Sequence, residues 1–134
     1  MELGLLIWVF GLLGNIYHDE ALRDIRRKAS RRQAVEQKKQ DEKTHGKAKT
    51  VEKVYEIPSA GLFKYILYPH YLFEWIEWAG FWIMAGKGCT PAKNFLLNEV
   101  TTMIARAYEG KQWYIKKFGK DKVGNRKAAI PGLL

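Results

Sequence analysis

From Leu62 to Ala85 the chain is aromatic and apolar, and dense positive charge stands on both sides of that stretch. Arg23 to Lys53 carries 12 basic and 5 acidic residues, and Lys111 to Lys127 carries 7 basic and 1 acidic. The formal net charge is +9, yet the residues outside these two segments are net acidic. A mean hydropathy of −0.33 would suit a soluble domain, but the average conceals this segregation. Two physical readings fit it. Basic clusters bind nucleic acid, and Lys and Arg also crowd the cytoplasmic flanks of membrane helices. The apolar segments between the clusters favour the membrane. The basic loop lacks the interleaved aromatics that stack on bases, so nucleic acid is not an expected partner.

A chain of 134 residues has room for one domain. A single cysteine, Cys89, excludes an intramolecular disulfide and any multi-cysteine zinc site; it reads as a packed or exposed thiol. No Ser-His-Asp spacing, phosphate-binding glycine loop or zinc-protease pattern occurs.

The expected fold is all-α: a transmembrane bundle fragment with about three membrane helices and a long basic cytosolic helix or loop. Residues 1–14 are almost wholly apolar but too few for a spanning helix, which needs about 20 residues. They lack the basic start and small-residue cleavage site of a signal peptide, so they read as the second half of a membrane helix. Residues 15–53 continue as a polar helix. Its 27–53 portion is nearly devoid of large apolar groups and reads as a solvated cytosolic insertion, loosely ordered around His45-Gly46. Tyr55 to Pro58 is expected to be extended, and Ser59-Ala60-Gly61 a turn. Pro69 should start or kink the next helix. Residues 70–85 give about 24 Å of helix, short for a hydrocarbon core of about 30 Å. Gly86 to Pro91 reads as a tight loop, with Thr90 placed to cap a helix over 91–118. That return brings both basic segments to one side of the membrane.

Ionisable groups inside apolar helices are costly and point to function. Asn15, Asp19, Arg23 and Arg26 are spaced to share one helical face. Arg23 and Arg26 also suit a solvated helix start. Guanidinium groups pair with phosphate in bidentate fashion, while Asp and Asn can hydrogen-bond ribose hydroxyls or a carboxamide. His70, Glu74 and Glu77 form a second set on one face. They can bind a metal, face interfacial water, or pair with the arginines of the first set. The available arginines, and the want of a further His or Cys, favour pairing over a metal. Glu99 and Arg106 form a third set, either a structural ion pair or a place where Arg106 anchors a phosphate or carboxylate. Tyr108, Trp113 and Tyr114 follow as interface aromatics.

Several segments, in this order, resemble the C-terminal domain of the steroid 5α-reductase family. They are Gly14-Asn15-Ile16-Tyr17-His18-Asp19 with Arg23 and Arg26; Tyr55-Glu56-Ile57-Pro58; Gly61-Leu62-Phe63-Lys64-Tyr65; Pro69-His70-Tyr71-Leu72-Phe73-Glu74-Trp75-Ile76-Glu77-Trp78; Arg106-Ala107; Trp113-Tyr114 with Lys117-Phe118-Gly119; and Arg126 through Pro131. No one segment is specific, but the ordered set is, and it covers nearly all of the chain except 27–53. The resemblance implies a fungal-type member, an integral protein of the endoplasmic reticulum that holds NADPH from the cytosolic side. It implies reduction of a carbon–carbon double bond in a lipid, either a 3-oxo-Δ4-steroid or a polyprenol-type substrate. Carried over position by position, it makes Asn15, Asp19, Arg23, Arg26, Tyr55, His70, Glu74, Arg106, Tyr114 and Arg126 the cofactor-binding residues.

This chain departs from the family pattern at Lys111, where a histidine is usual, and at Lys122-Val123-Gly124, where a Tyr-Pro is usual. Pro131-Gly132 replaces the usual Pro-Phe, and His70 stands where steroid reductases often carry asparagine. In the family the acid that polarises the substrate carbonyl comes from an N-terminal half. These 134 residues are therefore expected to hold much of a cofactor site while being catalytically poor alone. Two alternatives are an isoprenylcysteine-type membrane methyltransferase using S-adenosylmethionine, which does not need the Asn15–Arg26 stripe, and a non-catalytic membrane fragment.

Overall fold

The computed structural model describes residues 1–41 and 55–132. The expected loose order around His45-Gly46 lies outside the described residues. Helix α1 spans Glu2–Asp41, a 3-10 turn spans Gly61–Lys64, α2 spans Pro69–Ala85, α3 spans Thr90–Phe118 and α4 spans Lys120–Val123. Among the described residues there is no strand, only one isolated parallel bridge between Ile66 and Lys127. The all-α expectation holds.

The first apolar segment and the polar segment after it form one continuous helix of 40 residues, about 60 Å at 1.5 Å per residue. Nothing between Glu2 and Asp41 interrupts it, because the stretch contains no proline and its glycines meet a neighbouring helix. α1 and α2 run antiparallel in close contact. A Cβ on Gly4 would lie 2.8 Å from the backbone nitrogen of Met84, and one on Gly11 would lie 2.6 Å from Cα of Glu77. A Cβ on Gly80 would fall 2.8 Å from Cα of Trp8. Small residues thus let two backbones approach beyond what side chains permit, a packing typical of helices in an apolar setting.

α3 packs on the opposite side of α2. The core there is Trp75, Met103, Ala107, Ala128 and Ala129, with Tyr68, Tyr71, Leu72, Val100, Ile104 and Ile130 around it. Trp78 meets Phe95 with ring centroids 4.4 Å apart. After α4 the chain returns alongside the segment before α2. Leu67 N–H donates to the Lys127 carbonyl, Tyr68 N–H to the Ala128 carbonyl and Lys127 N–H to the Tyr65 carbonyl, each at 2.9 Å. These bonds bury Ile66, Leu67, Val123, Ala128 and Ala129.

Two expectations are corrected. Thr90 does not cap α3. It is the first helical residue, Cys89 precedes it, and no side-chain capping bond forms. The three membrane spans are not found either: no described helix is long and apolar enough to cross a membrane. α2 stops at 17 residues. In α1 the apolar run ends near Asn15, and α3 mixes Lys93, Glu99, Arg106 and Glu109 into its apolar positions. One face of the first half of α1 is nevertheless unpaired and apolar, with Leu3, Leu6, Phe10, Leu13 and Ile16 all exposed.

Candidate functional site

The site forms where α1 turns polar, α2 begins and α3 ends. Its floor is set by His18, which is only 4% exposed. His18 Nδ1 lies 2.7 Å from the Gly14 carbonyl, and Nε2 lies 3.3 Å from the Leu62 amide. An amide N–H can only donate, so Nε2 accepts and the proton sits on Nδ1. The ring stacks on Phe73 at 5.0 Å and meets Phe63 edge-on at 5.6 Å. His18 therefore locks α1 to the 3-10 turn and to α2. Residue-by-residue reading missed it as a contributor. The signal was its position one turn beyond Gly14, on the same buried stripe as Gly11. His18→Phe should keep the stacking yet strand the Leu62 amide, costing about 1–2 kcal/mol. Hydrogen exchange at Leu62 would report it, and unchanged protection would refute the role.

Above this floor stands His70, in the first turn of α2. Its Nδ1 is buried without a hydrogen-bond partner among the described residues. Burial lowers its pKa to about 4, with Asp19 opposing and His18 and Arg26 adding to the fall. Tyr68 and Tyr71 flank it at ring-centroid distances of 5.8 and 4.6 Å. The Tyr68 hydroxyl fills a notch on α3 that exists because residue 110 is glycine, and burial pushes its pKa up. Tyr114 lies edge-on to Tyr68 at 6.3 Å. Burial raises its pKa too, against the pull of Arg26.

Because His70 is uncharged in the fold below its ordinary pKa of 6.5, the unfolded chain binds the extra proton. Stability should therefore fall as pH drops from 6.5 towards 4, by about 1–2 kcal/mol once residual exposure is discounted. Unfolding midpoints of wild type and His70→Gln across that window test this. Parallel pH curves would contradict it.

The ten residues singled out in the sequence do not all converge. Asp19 and Arg26 lie within electrostatic reach of His70, and Arg26 also within reach of Tyr114. Arg26 makes no ion pair among the described residues, so its guanidinium is available. Arg23 differs: it is tied to Asp19 at 3.0 Å and to Glu20 at 2.8 Å on its own helix. Asn15 is half-buried on α1 between Gly14 and His18. Tyr55 is exposed and packs edge-on to Trp113 at 5.0 Å, with Lys117 Nζ 4.1 Å above its ring. Arg126 donates to the Pro58 carbonyl at 3.2 Å, an anchor for the loop.

Glu74 corrects the sequence reading. It makes no ion pair with the arginines of α1; its charged neighbours are Glu99 and Glu77. The reason is rotational: Glu74 lies on the side of α2 that faces α3. Glu99 and Arg106 form no ion pair, and Arg106 is exposed beside buried Ala107. Among the described residues no group of three His, Cys, Asp or Glu side chains could hold a metal ion.

This arrangement suits an anionic, polar-ended ligand. A buried ring nitrogen without a partner is uncommon in a folded protein and marks a place where a ligand atom can bond. Arg26 offers a fork for phosphate, and Asp19 and Tyr114 offer an acceptor and a donor beside it.

The family profile described as 3-oxo-5-alpha-steroid 4-dehydrogenase matches residues 33–134. An uncharacterised protein of Schizosaccharomyces pombe is 40% identical over 98% of this chain and 44% of its own length. Steroid 5-alpha-reductase DET2 of Solanum lycopersicum is 39% identical over 59% of the chain and 30% of its own length. The 3-oxo-5-alpha-steroid 4-dehydrogenase 1 of Rattus norvegicus is 31% identical over 98% of the chain and 41% of its own length. The chain thus spans less than half the length of these relatives. It belongs to the 3-oxo-5-alpha-steroid 4-dehydrogenase, or steroid 5α-reductase, family.

Proposed function

We propose that this chain is the NADPH-holding part of a reductase that saturates a carbon–carbon double bond in a lipid, of the 3-oxo-Δ4-steroid or polyprenol type. The observation that carries the reading is the unpartnered, buried Nδ1 of His70 within electrostatic reach of Arg26, which makes no ion pair among the described residues. Arg26 would hold phosphate. Asp19 would accept from a ribose hydroxyl, and His70 and Tyr114 would hydrogen-bond the carboxamide end. When bound, NADPH supplies the hydride. Tyr68 and Tyr114 stay protonated and act as donors, because burial raises both phenols. Asn15, Tyr55, Glu74, Arg106 and Arg126 remain cofactor contacts by resemblance alone, whereas Arg23, which the resemblance also includes, is engaged by Asp19 and Glu20 and is assigned no strong contact.

The reading includes a membrane. The exposed apolar face of α1, beside the apolar α2, would lodge in lipid, with the His70 end at the aqueous boundary. The endoplasmic reticulum is the proposed location, by resemblance. The methyltransferase alternative has no observation in its favour, since the family match is to a reductase.

Calorimetric titration of the purified protein with NADPH and with S-adenosylmethionine tests the reading. Heat of binding is expected with NADPH alone. Binding of S-adenosylmethionine instead, or of neither, would refute it.

A further inference from the structure

A second cationic surface lies away from the His70 cluster. Residues 64–65, 122–127 and 131–132 line an open pocket of about 470 Å³. Lys64, Lys122, Arg126 and Lys127 line it, with Asn125 and Tyr65, and no carboxylate does. Among the described residues, Lys64, Lys122 and Lys127 make no ion pair.

The pocket is held in shape by the backbone. Lys127 is fixed to the opposite wall through its own N–H and carbonyl, which bond Tyr65 and Leu67 at 2.9 Å. Val123, Ala128 and Ala129 are buried beneath it. Arg126 is pinned by the Pro58 carbonyl, so its charge stands at a set place. Four like charges converge on one concavity without a counter-charge. Their mutual repulsion destabilises the bare pocket, and a multivalent anion entering it relieves that repulsion. Lysine ammonium groups provide point charges, and the arginine and Asn125 provide directed hydrogen bonds. That combination suits oxygen atoms carried on phosphorus.

We propose that this pocket binds a phosphate group, presented by a free phosphate compound or by an acidic phospholipid headgroup. Asp19, Arg26, His70 and Tyr114 do not line this pocket. Arg126, a cofactor contact by resemblance, is the residue the two readings share, so the test leaves Arg126 in place and changes Lys64 and Lys122.

The test uses the intact protein and a Lys64→Gln/Lys122→Gln variant. Both side chains are exposed, so the unfolding midpoint should not move. A Lys93→Gln/Lys120→Gln variant carries the same net charge change outside this pocket. Inorganic pyrophosphate is titrated by calorimetry. Flotation is measured with phosphatidylcholine vesicles and with vesicles of phosphatidylcholine and phosphatidylserine in equal parts. The pocket variant should bind pyrophosphate about tenfold more weakly, or float about tenfold less with the acidic vesicles, while the control variant matches wild type. A loss confined to pyrophosphate identifies a free phosphate compound as the source. A loss confined to acidic vesicles identifies the headgroup. Equal losses in the pocket and control variants, or no loss in either arm, would overturn the proposal.

Discussion

Gly11→Ala is expected to destabilise the fold by about 3 kcal/mol, although alanine favours the helix over glycine by about 1 kcal/mol. The reason is what the new methyl group meets. At Gly11 it would strike the backbone of Glu77, which cannot rotate away, so α1 and α2 must separate. At Gly14 it would strike the Phe73 ring, which is buried and stacked on His18, so Gly14→Ala should destabilise as well by forcing that ring aside. At Gly86 nothing lies within 4 Å, so a substitution there meets no neighbour; its φ of 90° carries the only strain. Chemical unfolding of the three variants measures the order. A Gly11→Ala midpoint equal to or above wild type would show that the helices are not packed backbone to backbone.

The second large effect separates two arginines that lie one turn apart. Arg26→Ala should weaken NADPH binding by about 100-fold, the loss expected for charge-assisted hydrogen bonds to phosphate. Arg23→Ala should change it by less than about threefold, because Arg23 is already engaged by Asp19 and Glu20. Equilibrium fluorescence titrations of both variants decide the matter. Equal losses would mean that the stripe acts through overall charge rather than through one guanidinium.

The contrast between these arginines also marks how far sequence reading reaches. Helical spacing correctly put Asn15, Asp19, Arg23 and Arg26 on one face. It could not show which guanidinium Glu20 captures, because that depends on rotamers along the helix surface. The starts and ends of α2 and α3 were legible, since Pro69 and Pro91 set the first turns and Gly86 and Gly119 follow the last ones. α1 was legible as an apolar helix continued by a polar one, but the part its glycines play as contact points with α2 was not.

The non-local features were not legible at all. The bridge between Ile66 and Lys127 joins segments some sixty positions apart and leaves no periodic trace. The same holds for the Tyr68 hydroxyl in the notch at Gly110. Glu74 was assigned to the arginines because arginine partners were available and no further His or Cys was at hand for a metal, whereas its leading charged neighbour is Glu99 of α3. His18 escaped notice because a lone histidine in a motif has no spacing partner; its bonds to Gly14 and Leu62 are a matter of tertiary position.

The most direct measurement is an experimental density map of the protein prepared with NADP⁺. The expected result is dinucleotide density between the Asp19–Arg26 face of α1 and the His70–Tyr114 side of the bundle, with a phosphate against Arg26. Density seated elsewhere, with His70 Nδ1 still unbonded, would contradict the assignment of this site.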